Sequence, residues 1–82
     1  MVNVLKLKGK IVEKGINVDT LAERIGVDRA TLYRRLSSNG ENFTIGEVDL
    51  ICRELSLTKD EVNGIFFSQY VALNASTEKE LS

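Results

Sequence analysis

Apolar residues recur every three or four positions along most of the chain, which is the spacing that places them on one face of an α-helix. This pattern predicts five helices, at about residues 4–14, 18–25, 29–37, 45–55 and 59–66. Strand-like alternation is rare, and the chain contains no proline that would interrupt a helix. The sequence therefore predicts an all-α fold.

Polar residues suited to helix starts precede the predicted helices. Thr44 and Thr58 are each followed three residues later by a glutamate, which is the capping-box pattern in which each side chain bonds the other residue's backbone N–H. Other helix starts have a residue that often serves as an N-cap, and two glycines follow helix ends, where left-handed backbone is common. These N-caps and glycines are Asn3, Asn17, Asp28, Gly15 and Gly40.

A short connection between the second and third predicted helices carries the strongest pattern in the chain. Ala22 is small where a following helix would cross, and Gly26 can adopt the positive φ of a sharp turn. Val27 and Leu32 are spaced to hold the two helices at a steep angle, so that the third helix projects from the domain. The residues predicted to pack this helix-turn-helix motif are Leu21, Ala22, Gly26, Val27, Leu32 and Leu36.

Three segments, LAERIGVDRATLYRRL, FTIGEV and SLTKDEVNGIFF, resemble the phage repressor and Cro family of XRE-type helix-turn-helix proteins. The resemblance runs from about Leu5 to Phe67. Within the family, the sequence most resembles small phage or prophage regulators. It implies a five-helix repressor-like domain over residues 1–67 whose third helix enters the major groove of double-stranded DNA. It further implies a homodimer on a palindromic operator. At Arg35, where many members have an apolar residue, Leu36 is expected to take over the packing.

The outward face of the third predicted helix supplies candidate DNA contacts. Arginine can form two hydrogen bonds with guanine, and the methyl groups of Ala30 and Thr31 can contact a thymine methyl. No acidic residue stands four positions from Arg29 or Arg34, so neither has a partner on its own helix. The N-terminus of the second helix favours a phosphate. The predicted base contacts are Arg29, Ala30, Thr31, Tyr33 and Arg34, and the predicted phosphate contacts are Asn17, Thr20, Arg35, Ser38, Asn39 and Lys10.

Charge is distributed unevenly along the chain. The formal net charge is −1, but residues 1–40 carry +4 and residues 41–82 carry −5. This asymmetry would turn the first half toward an anionic partner.

The acidic second half keeps another interpretation open, a protein-interaction module that uses the same fold on a protein partner. The charge on the surface of the domain distinguishes the DNA-binding interpretation from the protein-binding one. A positive face interrupted by Glu13 and Asp28 favours a protein partner. A continuous positive face favours DNA, and the residues expected to build it are Lys10, Arg29, Arg34 and Arg35.

Candidate chemistry is sparse. The chain has no histidine and one cysteine, Cys52, which excludes most catalytic dyads and zinc ligand sets and suggests a buried thiol. The acid pairs at 47–49 and 60–61 fit helix starts better than an active site or a magnesium site. No apolar run approaches the about 18 residues of a membrane span. We expect no enzymatic activity, cofactor, metal, small-molecule ligand or membrane contact, and a cytoplasmic location.

The segment FFSQYVAL, residues 66–73, is more apolar than the end of a small helical bundle requires. Two interpretations stay open, a packed extension of the fifth helix and a dimer contact. The predicted dimer contacts are Phe67, Tyr70 and Val71, within a C-terminal extension over residues 68–82.

Overall fold

The computed structural model describes residues 2–67. Within that range the chain forms five helices and no strand: α1 Val4–Glu13, α2 Val18–Ile25, α3 Arg29–Ser37, α4 Ile45–Glu54 and α5 Lys59–Phe66. The predicted all-α, five-helix fold is confirmed, with boundaries that shift by no more than about one residue. None of these helices is long and apolar enough to cross a membrane. Tyr70 and Val71 lie outside the described residues.

Two complete capping boxes begin α4 and α5. The Thr44 hydroxyl accepts from the Glu47 N–H at 3.1 Å, and the Glu47 carboxylate accepts from the Thr44 N–H at 2.9 Å. Thr58 and Glu61 repeat the arrangement at 3.2 and 2.9 Å. Both boxes satisfy backbone donors that would otherwise lack a partner at the helix start.

The starts of α1, α2 and α3 differ from one another. The side-chain oxygens of Asn3 and Asn17 accept backbone hydrogen bonds and cap α1 and α2 as predicted. Asp28 occupies the N-cap position of α3 but makes no side-chain capping hydrogen bond. The predicted N-cap position is therefore confirmed at Asp28, but without the side-chain hydrogen bond. Its backbone, at φ −59° and ψ 137°, departs from the extended backbone of Asn17, at φ −118° and ψ 177°, and its carboxylate makes no bond to the helix amides.

Apolar side chains from all five helices meet in one core. α1 and α5 lie side by side, and the Asn3 N–H donates to the Ile65 carbonyl at 2.6 Å. α2 packs against both α3 and α4. Phe43 and Phe66 meet edge to face with their ring centroids 6.3 Å apart, and the partly buried Cys52 packs against the core as well. The buried residues are Leu7, Ile11, Leu21, Ala22, Ile25, Leu32, Leu36, Ile51, Leu55, Ile65 and Phe66.

The loop between α3 and α4 fixes the C-terminal end of α3. Gly40 has a φ of +72°, as the sequence predicted, and its N–H donates to the Arg35 carbonyl at 2.8 Å. A Cβ atom at this position would lie 2.8 Å from Cγ2 of Val2. Glycine is therefore required here for space as well as for backbone conformation, and the contact with Val2 had no signal in the sequence.

Candidate nucleic-acid interface

The turn between α2 and α3 has the geometry that the sequence predicts. Ala22 is buried under the crossing of the helices, with 1% of its surface exposed. Gly26 ends α2 at φ +72° and ψ 25°, and the Val27 N–H donates to the Ala22 carbonyl at 3.0 Å. A Cβ at Gly26 would meet nothing within 4 Å, so this position requires glycine for its left-handed backbone rather than for space.

α3 presents one face to the core and the other to solvent. Leu32 and Leu36 are its two buried residues, which confirms that Leu36 carries the packing next to Arg35. Arg29, Ala30 and Tyr33 are exposed in the first two turns. The N-terminal half of α3 therefore presents an exposed face after the α2–α3 turn.

Arg34 and Thr31 interact on the exposed side of α3. The Arg34 guanidinium donates to the Thr31 hydroxyl at 3.1 Å, and among residues 2–67 it pairs with no carboxylate. Its remaining N–H groups are free to donate to an acceptor on a partner. A guanidinium has five donors in a rigid fork, so one bond to Thr31 restricts its direction without consuming its binding capacity.

Arg29 and Tyr33 share an acidic neighbour, Asp19, which the sequence analysis did not identify. Nη1 of Arg29 lies 3.5 Å from Oδ2 of Asp19, and both side chains are open to solvent at 70% and 48% exposure. A hydrogen bond to the Asp19 carboxylate, with burial and charge as smaller causes, raises the pKa of the Tyr33 hydroxyl. Arg29 has no acidic partner on α3, as predicted from the spacing, but Asp19 on α2 lies beside it, and spacing along one helix does not reveal a partner on another.

Arg35 joins α3 to the start of α4. Its guanidinium donates to both carboxylate oxygens of Glu47, at 3.0 and 3.3 Å, and the two side chains are only 25% and 14% exposed. The bond to Arg35, with weaker help from Thr44, lowers the pKa of Glu47. The prediction that Arg35 contacts phosphate stays a prediction, but its guanidinium already forms two hydrogen bonds with Glu47.

Lys10 lies in a groove between α1 and α5. Its ammonium group forms ion pairs with Glu61 and, at 2.9 Å, with Glu13. Hydrogen bonding to these carboxylates raises the pKa of Lys10, and the Lys10 bond is the largest cause that lowers the pKa of Glu61 to about 2. Lys10, a predicted phosphate contact, therefore already binds carboxylates on α1 and α5.

The remaining predicted phosphate contacts lie at the two ends of the helix-turn-helix motif. Oδ1 of Asn17 accepts from the Thr20 N–H at 2.8 Å, which leaves the Asn17 amide NH₂ as a donor. The Ser38 hydroxyl donates to the Arg35 carbonyl at 3.1 Å. Asn39 is exposed and has a left-handed backbone with φ 60°, a conformation that asparagine tolerates.

Three of the four cations expected to build a continuous positive face lie against carboxylates. Lys10 and Arg35 are held by carboxylates, and Arg29 lies beside one. Among the residues that the structure describes, Arg34 is the one of the four without a carboxylate partner. Surface charge alone therefore gives DNA no advantage over a protein partner.

The family model described as the Cro/C1-type HTH DNA-binding domain matches residues 6–66, a stretch that includes α2 to α5 and most of α1. Searches of curated proteins and of solved structures gave no significant match.

Proposed function

Because the chain belongs to the family of Cro/C1-type HTH DNA-binding domains, we propose that it is a sequence-specific regulator of transcription that acts by occupying operator DNA. The observation that carries the proposal is the α2–α3 geometry, in which buried Ala22 and left-handed Gly26 project the first turns of α3. Bound in a major groove near a promoter, the domain excludes the polymerase or a competing regulator. No chemical step is required.

Base recognition is assigned to the exposed side of α3. Arg34 and Arg29 donate to O6 and N7 of guanine, the commonest specific contact in such complexes. The bond from Arg34 to Thr31, at 3.1 Å, supports this role because it limits the directions that the guanidinium can take. Ala30 and Thr31 offer methyl groups to a thymine, and Tyr33 lies on the flank of the same surface.

Phosphate binding is assigned to the ends of the motif. The Asn17 amide and the first turn of α2, with Thr20, approach the backbone on one side. Ser38 and Asn39 approach it from the loop after α3. Lys10 and Arg35 contribute less to binding than the sequence suggested, since their charges are already neutralised by Glu61 and Glu47.

Dimerisation through the C-terminal end of the domain completes the proposal. An apolar groove of about 200 Å³ borders Val2, Phe43, Ile45 and the end of α5. Ile45 and Phe67 are exposed large apolar residues there. A second copy seated on this surface, with Tyr70 and Val71 contributing, would let the pair read two half-sites about 34 Å apart.

Selection of bound sequences from random duplexes tests the function. We expect enrichment of a palindrome whose half-sites are one helical turn apart, and loss of that enrichment in Arg34→Ala. A chain truncated after Phe66 tests the dimer, because it should stay helical by circular dichroism yet lose cooperativity on the full palindrome. Cooperative binding by the truncated chain would place the dimer contact elsewhere.

A protein partner is the second candidate, which the ion-paired cations of the interface leave open and the family match does not favour. A folded protein that enriches no sequence from random duplexes, and whose affinity for duplex DNA is unchanged by Arg34→Ala, would replace the first proposal with this one.

A further inference from the structure

Asp19 lies where a carboxylate opposes DNA binding. It is in the first turn of α2, at the helix end assigned to phosphate, and it is beside Arg29 on α3. A fixed negative charge at this place repels the DNA backbone. The position therefore calls for an explanation in terms of function or stability.

Stability gives a weak explanation. The Arg29–Asp19 pair spans 3.5 Å between side chains that are both well exposed, and such pairs contribute little because water and salt screen them. An acid in the first turn also interacts favourably with the helix dipole. That interaction, however, does not account for the contact of Asp19 with Arg29, a predicted base contact on another helix.

We propose that Asp19 is a positioning residue that raises the specificity of DNA recognition by acting on Arg29. This inference rests on the proposed function. The carboxylate engages one side of the Arg29 guanidinium, and the other donors of the planar fork remain free for the O6 and N7 atoms of guanine. An arginine held in this way loses less conformational freedom when it binds its base.

The same carboxylate weakens binding to the wrong sequence. On random DNA, where the guanine contact is not made, a free Arg29 would turn to the nearest phosphate. Asp19 competes with that phosphate for the guanidinium, and its negative charge also repels the phosphate directly. Since specificity is the difference between two affinities, Asp19 raises it by lowering the affinity for random DNA more than the affinity for the operator.

The substitution Asp19→Asn separates these effects. We expect the affinity for random duplex to rise about threefold to tenfold, with a salt dependence steeper by about one counterion. Affinity for the selected site should change less, so the ratio of specific to random binding falls. The measurement is fluorescence anisotropy of the full chain on the selected and random duplexes across a salt series.

Glu23→Gln is the matched control. Glu23 is also exposed on α2, its substitution removes the same charge, and it forms no ion pair among residues 2–67. We expect it to leave the specificity ratio near that of the wild type. An equal loss of specificity in both variants would show that only net charge matters, and would overturn the role of Asp19.

A double-mutant cycle with Arg29→Ala tests whether Asp19 acts through Arg29. In the Arg29→Ala background, Asp19→Asn should change the specificity ratio much less than it does in the wild type. An undiminished effect in that background would overturn the positioning role. If the wild type bound no duplex at all, the proposed function would fail as well; if it bound its site selectively and Asp19→Asn kept the ratio, only this inference would fail.

Discussion

The two ends of α3 hold their arginines in different ways. At the start of the helix, Arg29 lies 3.5 Å from Asp19 through a single contact between exposed side chains. Near the end of the helix, Arg35 forms two hydrogen bonds with Glu47, at 3.0 and 3.3 Å, with both side chains mostly buried. The first pair is open to solvent, so the donors of Arg29 that do not face Asp19 can reach a DNA group. The second is part of the joint between α3 and α4.

The acids explain the difference. Glu47 also caps α4 by accepting from the Thr44 N–H, so its carboxylate is held at the start of α4 as well as by Arg35. Asp19 has no comparable bond to the backbone among the described residues. Arg35 near the end of α3 therefore contributes to stability, whereas Arg29 at its start is available for recognition.

The largest expected effect is at the fixed end, in Gly40→Ala. The added methyl group would overlap Val2 in a left-handed backbone with φ +72°, and we expect a loss of about 3 kcal/mol in the free energy of unfolding. Gly15→Ala is the matched control. Gly15 has a similar φ of +76° but nothing within 4 Å of an added Cβ, so about 1 kcal/mol should be lost. Urea denaturation measures both, and equal losses would show that the contact with Val2 carries no energetic cost.

Comparing Glu47→Ala with Asp19→Ala tests the two ion pairs directly. We expect Glu47→Ala to lower the free energy of unfolding by about 2 kcal/mol, since it removes a cap and leaves a partly buried guanidinium without its partner. Asp19→Ala should stay within about 0.5 kcal/mol of the wild type. Similar losses in denaturant unfolding would contradict the division of roles along α3.

The pH dependence of stability gives a smaller effect with a definite sign. The pKa of Glu47 is lowered by Arg35, and that of Glu61 is lowered to about 2 by Lys10. A carboxylate whose folded-state pKa is depressed stabilises the fold above its unfolded-state pKa, near 4.3. This contribution is lost as the pH falls from there toward about 2. Thermal melts between pH 6 and pH 2 should therefore show a falling Tm, with a shallower fall in Glu47→Gln. An identical slope in the variant would contradict the shift at Glu47.

The fold followed from local signals in the sequence, whereas the pairing of the charges did not. Apolar spacing and the capping boxes at Thr44 and Thr58 predict the helices, because both depend on residues a few positions apart. Leu36 was predicted to pack in the same way. The partners of Arg29 and Arg35 stand ten and twelve residues away, and only the angle at which the helices meet brings them together. Asp28 was predicted to cap α3 from its residue type and occupies the N-cap position, but its side chain makes no capping hydrogen bond.

The measurement that tests the account most directly is the affinity of Arg34→Ala for the selected operator and for random duplex, with Arg35→Ala as the control on the same helix. Arg34→Ala should cost about 1–3 kcal/mol on the operator and much less on random DNA. Arg35→Ala should instead lower the thermal stability and leave the ratio of the two affinities near that of the wild type. If Arg34→Ala weakened binding to both duplexes equally, Arg34 would be a phosphate contact, and the assignment of base recognition to α3 would be contradicted.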